Sequence, residues 1–226
     1  MNNFSTYSSI KKFYKNKRIL ITGATGFKGS WLSFWLYKMG AKVFTTGNNP
    51  NRNKNLFYGL GLEKKTSLKI FDIRNYEKLK KEIKRIQPDI IFHLAAQPLI
   101  LKSYYDPKGT YEVNTLGTLN LLESCRNNKS ITSLVCVTSD KCYESNYSTK
   151  GFKETDRLGG KDPYSGSKAS AEIIINTYNE SFFKTSKLGL ASARAGNVIG
   201  GGDWSENRLI PDAIKSIKKN KTITLR

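Results

Sequence analysis

The chain has 226 residues, 38% of them hydrophobic and 25% charged, which suits one α/β domain with a real core. No apolar run reaches the ~18–20 residues of a membrane span, and residues 1–17 are polar and basic with no signal-peptide core, so a cytoplasmic protein off the membrane is expected. The net charge of +20 is spread over solvent faces without an arginine-rich arm or an aromatic ladder, so no specific nucleic-acid partner is expected.

Along the chain, short apolar runs alternate with longer amphipathic ones, the pattern of a parallel sheet with crossover helices. After the polar extension 1–17 comes a strand at 18–22, then a helix at 27–39 closed by Gly40. A strand at 42–46 leads into 48–66, the least patterned stretch, read as a surface excursion. A strand at 68–71 and a helix at 75–86 follow, with Leu79, Ile83 and Ile86 on one face. Strands at 90–94, 133–138 and 188–193 alternate with helices at 108–126, 163–183 and 209–219. Pro163 suits the first turn of its helix. The final residues, 222–226, look like the start of another strand. Several strands are apolar on both faces, as buried parallel strands should be. The fold class expected is a Rossmann-type, doubly wound parallel sheet with helices on both faces. The three cysteines, Cys125, Cys136 and Cys142, have no metal or redox spacing and read as reduced thiols; no metal site is expected.

Two motifs carry chemistry. Gly23-Ala24-Thr25-Gly26-Phe27-Lys28-Gly29 has glycines at every third position, after a strand and before a helix. Such a turn lets backbone N–H groups approach a phosphate, and the helix N-terminus favours its charge. Lys28 either adds charge toward that phosphate or points to solvent. After the second strand no carboxylate is available for a ribose. Asn48 could bond a ribose hydroxyl, while Arg52 could meet a 2′-phosphate, so this segment leaves NAD and NADP open. Asp72 is placed either for an adenine edge or for capping the next helix.

The second motif is Tyr164-Ser165-Gly166-Ser167-Lys168, whose Tyr and Lys lie one helical turn apart. A neighbouring ammonium is expected to lower the phenol pKa and make Tyr164 a usable base. The preceding strand ends in Thr138-Ser139-Asp140-Lys141, at the edge where open α/β sheets hold ligands. Asp140 and Lys141 otherwise read as a surface ion pair. His93, the only histidine, sits between Phe92 and Leu94 and reads as packed. Trp31, Phe34 and Trp35 on the first helix read as core or subunit contact.

With the strings Thr22–Leu32, Phe92–Pro98, Ser139-Asp140-Lys141-Cys142-Tyr143, Asp162–Ser165 and Arg194–Trp204, the chain resembles the extended short-chain dehydrogenase/reductases. Within them it is most similar to the nucleotide-sugar 4,6-dehydratases of deoxysugar biosynthesis that act on CDP-glucose. Other sugar dehydratases carry Thr-Asp-Glu where this chain has Ser139-Asp140-Lys141.

That resemblance implies an NAD-dependent lyase acting on CDP-glucose or a similar nucleotide sugar. Tyr164, poised by Lys168, would take the proton of the sugar 4-hydroxyl, with Ser139 bonded to the same oxygen. Lys141 and Asp140 would serve as base and acid for loss of water across carbons 5 and 6. Gly23, Thr25, Gly26, Phe27, Lys28 and Gly29 would hold the cofactor with Asn48, Asp72, Ile73, Leu94, Ala95, Ala96 and Gln97, besides Tyr164 and Lys168. Asn197 and Arg208 would meet the substrate diphosphate, and Asn114 would be structural.

By the same resemblance, residues 18–193 form the NAD-binding domain and 194–226 the start of a substrate region whose remainder is expected to be missing. Residues 145–149 stand where an aromatic stretch is expected. A homodimer through the helices 108–126 and 163–183 is implied. The competing readings are a nucleotide-sugar epimerase of the same fold, against which Asp140 and Lys141 argue, and a non-catalytic dinucleotide-binding fragment.

Overall fold

A computed structural model describes residues 7–48, 50, 52, 55–144 and 151–223. Six strands form one sheet: β1 (Arg18–Thr22), β2 (Lys42–Gly47), β3 (Ser67–Ile70), β4 (Ile90–His93), β5 (Ser133–Val137) and β6 (Gly189–Ala193). Their order is β3-β2-β1-β4-β5-β6 and every pairing is parallel. The sheet is thus wound outward in two directions from β1 and β4, and the crevice between their C-terminal ends is the switch point where such sheets bind ligands. The expected strands are present, each end within one residue.

The alternation of β1 explains the two layers. Ile19 and Ile21 face one way and Leu20 the other. Ile19 and Ile21 pack with Leu36 of α2 (Phe27–Lys38), Val43, Phe57 and Leu62. Leu20 joins Ile91, Leu134 and Cys136 beneath three helices. These are α4 (Tyr76–Ile86), α7 (Gly117–Cys125) and α8 (Pro163–Tyr178), contributing Leu79, Ile83, Leu121, Leu122 and Ile175 among others. Gly40 follows α2 with φ at +81°, the left-handed C-terminal stop the sequence implied. Asn75 caps α4 by accepting from the Lys78 N–H at 3.0 Å.

Three features depart from the sequence expectation. The basic extension contains a helix, α1 (Tyr7–Tyr14), whose Tyr14 ring meets Trp35 edge-on at 6.1 Å. The stretch 48–66 is no mere excursion. Its described part forms α3 (Leu56–Gly59) and a 3₁₀ turn (Leu62–Lys64), and it buries Phe57 and Leu62 completely. Isolated apolar residues among Asn and Gly concealed this. A further helix, α5 (Ile100–Tyr105), precedes α6 (Pro107–Tyr111).

The long helices expected at 108–126 and 163–183 are continuous but each carries one π turn, at Glu112–Leu116 and Asn179–Phe183. Helix α9 (Leu209–Lys218) closes the described chain. Thr222 and Ile223 are irregular, while 145–149 and 224–226 lie outside the described residues. Among the described residues, no helix is long and apolar enough to cross a membrane. The three cysteines are buried and free, with burial pushing the Cys136 thiol up to about 12 and Cys142 to about 11.

Candidate active site

At the C-terminal edge of the sheet a cavity of about 1490 Å³ opens between the β1 and β4 turns and residues 195–214. Every expected site residue except Gln97 lines it. The floor is the turn after β1. Gly23 has φ at +69°, and a Cβ there would stand 2.5 Å from the Ala95 nitrogen in the turn after β4. A Cβ on Gly29 would meet the Gly23 carbonyl oxygen at 2.3 Å. The two glycines therefore let β1, the first turn of α2 and the β4 turn close on one another. Gly26 is the N-cap of α2 and offers no side chain to its first N–H groups. The first residues of α2 line the cavity, so the helix N-terminus offers its donors there to an anion.

Three cations surround this turn. Lys28 lines the cavity; burial lowers its pKa, and Arg208 lowers it further. Lys168 is buried on α8, and burial with the charge of Lys28 brings it down to about 8. Arg208 lies 3.7 Å from Asp203 through Nε, an atom that is buried with no hydrogen-bond partner. Mutually repelling cations and an orphaned buried donor describe a place built for negative charge. A dinucleotide pyrophosphate fits the turn with the two lysines, and a second diphosphate fits Arg208.

The strand ends fix the catalytic candidates. Ser139 is buried and caps a 3₁₀ turn, Asp140–Cys142, by accepting from the Lys141 N–H at 3.2 Å. Its hydroxyl donates to Asp140 Oδ1 at 3.2 Å. The Asp140 N–H donates to the Ala195 carbonyl, tying the turn to the chain after β6. Lys141 is exposed at the cavity wall. Asp162 caps α8 by accepting from the Ser165 N–H at 3.0 Å, which sets the helix start and hence the place of Tyr164.

The Ser139 hydroxyl bears on the Tyr164 phenol, acting to lower its pKa. The expected lowering of the phenol pKa by Lys168 is corrected here. Burial dominates and raises it, while Ser139 and Arg208 act downward. The phenol is nearly desolvated, which disfavours phenolate.

Behind the site lies a polar framework. The Thr118 hydroxyl donates to the Asn114 carbonyl, so it accepts from His93 Nε2, and Nδ1 accepts from Thr22 at 2.7 Å. Burial, then Lys168, brings His93 down to about 3, so it is a neutral structural residue as expected. Asn114 accepts from the Gln97 N–H at 2.8 Å and donates to Ser167 Oγ at 2.9 Å, the structural role expected of it. Gln97 is the correction. Its side chain accepts from the Leu99 N–H and donates to the Leu99 carbonyl and Thr110, so it braces the turn behind the cavity.

Glu172, one turn beyond Lys168, escaped the sequence reading. It accepts from Thr138, Ser192 and Arg194, joining α8 to the ends of β5 and β6. Only the i+4 spacing from Lys168 hinted at it.

At the far end, Thr25 Oγ1 donates to the Asn48 carbonyl at 3.1 Å. Arg52 lies over the Tyr58 ring at 5.1 Å and does not line the cavity. Asp72 lines it, paired with Arg74 at 2.8 Å, and that pairing holds its carboxyl below the usual range. The helix cap is Asn75, not Asp72.

Comparison with known proteins matches this geometry. Over 221 residues the chain is 44% identical to the CDP-glucose 4,6-dehydratase of Salmonella typhimurium, covering 96% of this chain and 62% of that protein. The chain thus spans about three-fifths of that relative's length. The dTDP-glucose 4,6-dehydratase of Bacillus anthracis, solved with NAD, is 28% identical with a TM-score of 0.76, over 91% of this chain and 62% of the other. The UDP-glucose 4-epimerase of Thermus thermophilus, also solved with NAD, is 29% identical with a TM-score of 0.67, over 78% and 54%. The family model of GDP-mannose 4,6 dehydratase matches residues 20–226. A match of that extent places the chain in the GDP-mannose 4,6 dehydratase family, a branch of the extended short-chain dehydrogenase/reductases.

Proposed function

We propose that the chain binds NAD and dehydrates a nucleotide-activated hexose, converting CDP-glucose to CDP-4-keto-6-deoxyglucose. The observation that carries this reading is the convergence of Ser139, Asp140, Lys141 and Tyr164 on the cavity that the phosphate turn floors. Bound NAD would supply a hydride acceptor at carbon 4 and a hydride donor at carbon 6.

The remaining steps belong to this chain. The α2 N-terminus, Lys28 and Lys168 hold the dinucleotide; Asn48, Asp72 and Ile73 take its adenosine end, and Leu94, Ala95 and Ala96 its middle. Ser139 and Tyr164 hold the sugar 4-oxygen, and Tyr164 removes its proton. The resulting ketone acidifies the proton on carbon 5. Lys141 takes that proton, Asp140 protonates the departing 6-hydroxyl, and Lys141 returns its proton to carbon 5 as hydride reaches carbon 6. Asn197 and Arg208 bind the substrate diphosphate. The 44% relative supports the CDP-glucose choice. The acid and base side by side support elimination over simple inversion.

In this reading, residues 18–193 are the dinucleotide-binding domain and 194 onward begins the substrate region. The protein works in the cytoplasm. Exposed Leu116 and Ile173 on the two π-turned helices suit pairing of two copies. Incubation with NAD and CDP-glucose, followed by product analysis, tests the reading. A 4-keto-6-deoxy sugar is expected. Inversion at carbon 4 alone would establish the epimerase instead, and NAD binding without any turnover would establish a binding module.

A further inference from the structure

Residues 196–204 are irregular and cross from β6 toward α9 above the phosphate turn. Most of them are exposed, yet they are fastened from α2. Trp31 Nε1 donates to the Gly201 carbonyl at 2.9 Å. Phe27, one helical turn earlier, supports the same strip. A Cβ on Gly200 would lie 3.0 Å from Phe27 Cζ and 3.9 Å from Trp31 Nε1. On the other flank, a Cβ on Gly202 would meet Leu56 Cδ1 at 2.6 Å. Glycines let the strip lie this close to its platform.

Helix α2 therefore does two things. Its first N–H groups face the phosphate position, and its outer rings hold down the strip that roofs that position. Trp31 is 41% exposed, and its one polar atom is committed to the strip. Trp35, one turn further, is similarly exposed at 43% but packs on Tyr14 instead.

We propose that Trp31 is a positioning residue that latches residues 197–204 over the phosphate turn and thereby sets how fast bound NAD leaves. This rests on the NAD reading given above. The latch touches no reacting atom. It acts through the strip, and an opened strip exposes the pyrophosphate to water.

Trp31→Phe tests it, because an aromatic ring stays while the indole N–H is lost. In the chain without nucleotide, cleavage within 196–204 by a broad-specificity protease is expected to quicken. With NAD loaded, dissociation followed by stopped-flow is expected to be about fivefold faster, the worth of one hydrogen bond. Trp31→Ala should release NAD faster still. Trp35→Phe should match the unchanged chain in both readouts. Unchanged cleavage within 196–204, or NAD release at the original rate in Trp31→Phe, overturns the latch alone. Failure of the unchanged chain to take up NAD overturns the reading beneath it and the latch's role with it.

Discussion

Glu172 offers the sharpest test of how the site is held. Its side chain is 3% exposed and accepts from Ser192 at 2.9 Å, from Arg194 at 2.8 Å and from Thr138. Burial pushes its carboxyl up, but Arg194, Thr138 and Ser192 outweigh burial and hold it below the usual range. Removing one partner of a buried ion pair costs roughly 3–5 kcal/mol, because the other charge is left uncompensated. Arg194 keeps the Tyr143 hydroxyl and the Glu154 carbonyl, each at 3.0 Å, and is 17% exposed, so the low end applies.

Glu172→Ala should therefore cost about 3 kcal/mol, a melting temperature lower by roughly 6–12 °C in a domain of this size. The sign with pH follows from the lowered carboxyl. The native state binds the proton less readily than the unfolded chain. Stability from this group is thus full above the ordinary Glu pKa and lost as pH falls through the lowered one. Glu172→Gln should flatten that acid limb. Thermal melts from pH 7 down to pH 3 read both effects. Replacing both partners, Glu172→Leu with Arg194→Met, should recover much of the loss. Melting of Glu172→Ala within about 2 °C of the unchanged chain at pH 7 would refute the reasoning, since the whole estimate rests on an uncompensated charge.

Other outcomes follow from the same geometry. Gly29→Ala drives a Cβ into backbone atoms of Gly23 and Ala24, whereas Gly201→Ala meets nothing within 4 Å. The first should lose about 1–3 kcal/mol or more in urea unfolding along with NAD affinity, and the second should unfold like the unchanged chain. His93, held near 3, should stay neutral by NMR from pH 8 down to pH 5. Because the unfolded chain takes up that proton near pH 6.5, stability is full above that value. Each pH unit below it costs up to about 1.4 kcal/mol until the folded pKa is reached; a midpoint near 6.5 in the native protein would contradict the burial argument. Lys168, brought down to about 8, loses its charge as pH rises through that value, so NAD affinity measured by calorimetry should weaken above pH 8.

The sheet was legible because β1, β4 and β5 are short apolar runs set between longer amphipathic segments. Ile19, Leu20 and Ile21 could be split between two faces from their order alone. The cavity was legible because Gly23, Ser139 and Tyr164 all follow strand ends or open helices, positions that topology brings together. Side-chain direction was not. Gln97 is next in sequence to Ala96 but points its amide backward to Thr110, and nothing in the string Ala95-Ala96-Gln97-Pro98 marks the reversal. Trp31 and Gly201 are distant in sequence, so their bond depends on how residues 196–204 cross the sheet. The phenol pKa was misjudged because spacing reveals a lysine neighbour but not desolvation. Helix α1 lacked the apolar content of a core helix: its described residues include none that is buried.

The most direct test is a crystal structure of the chain grown with NAD. The nicotinamide carbon that exchanges hydride should lie at the Tyr164 end of the cavity, placed so that a sugar carbon can come within about 3.5 Å of it while its oxygen meets the phenol. The pyrophosphate should rest on the first N–H groups of α2. A dinucleotide with adenine at Tyr164, or with its nicotinamide outside the strip 197–204, would contradict the catalytic reading.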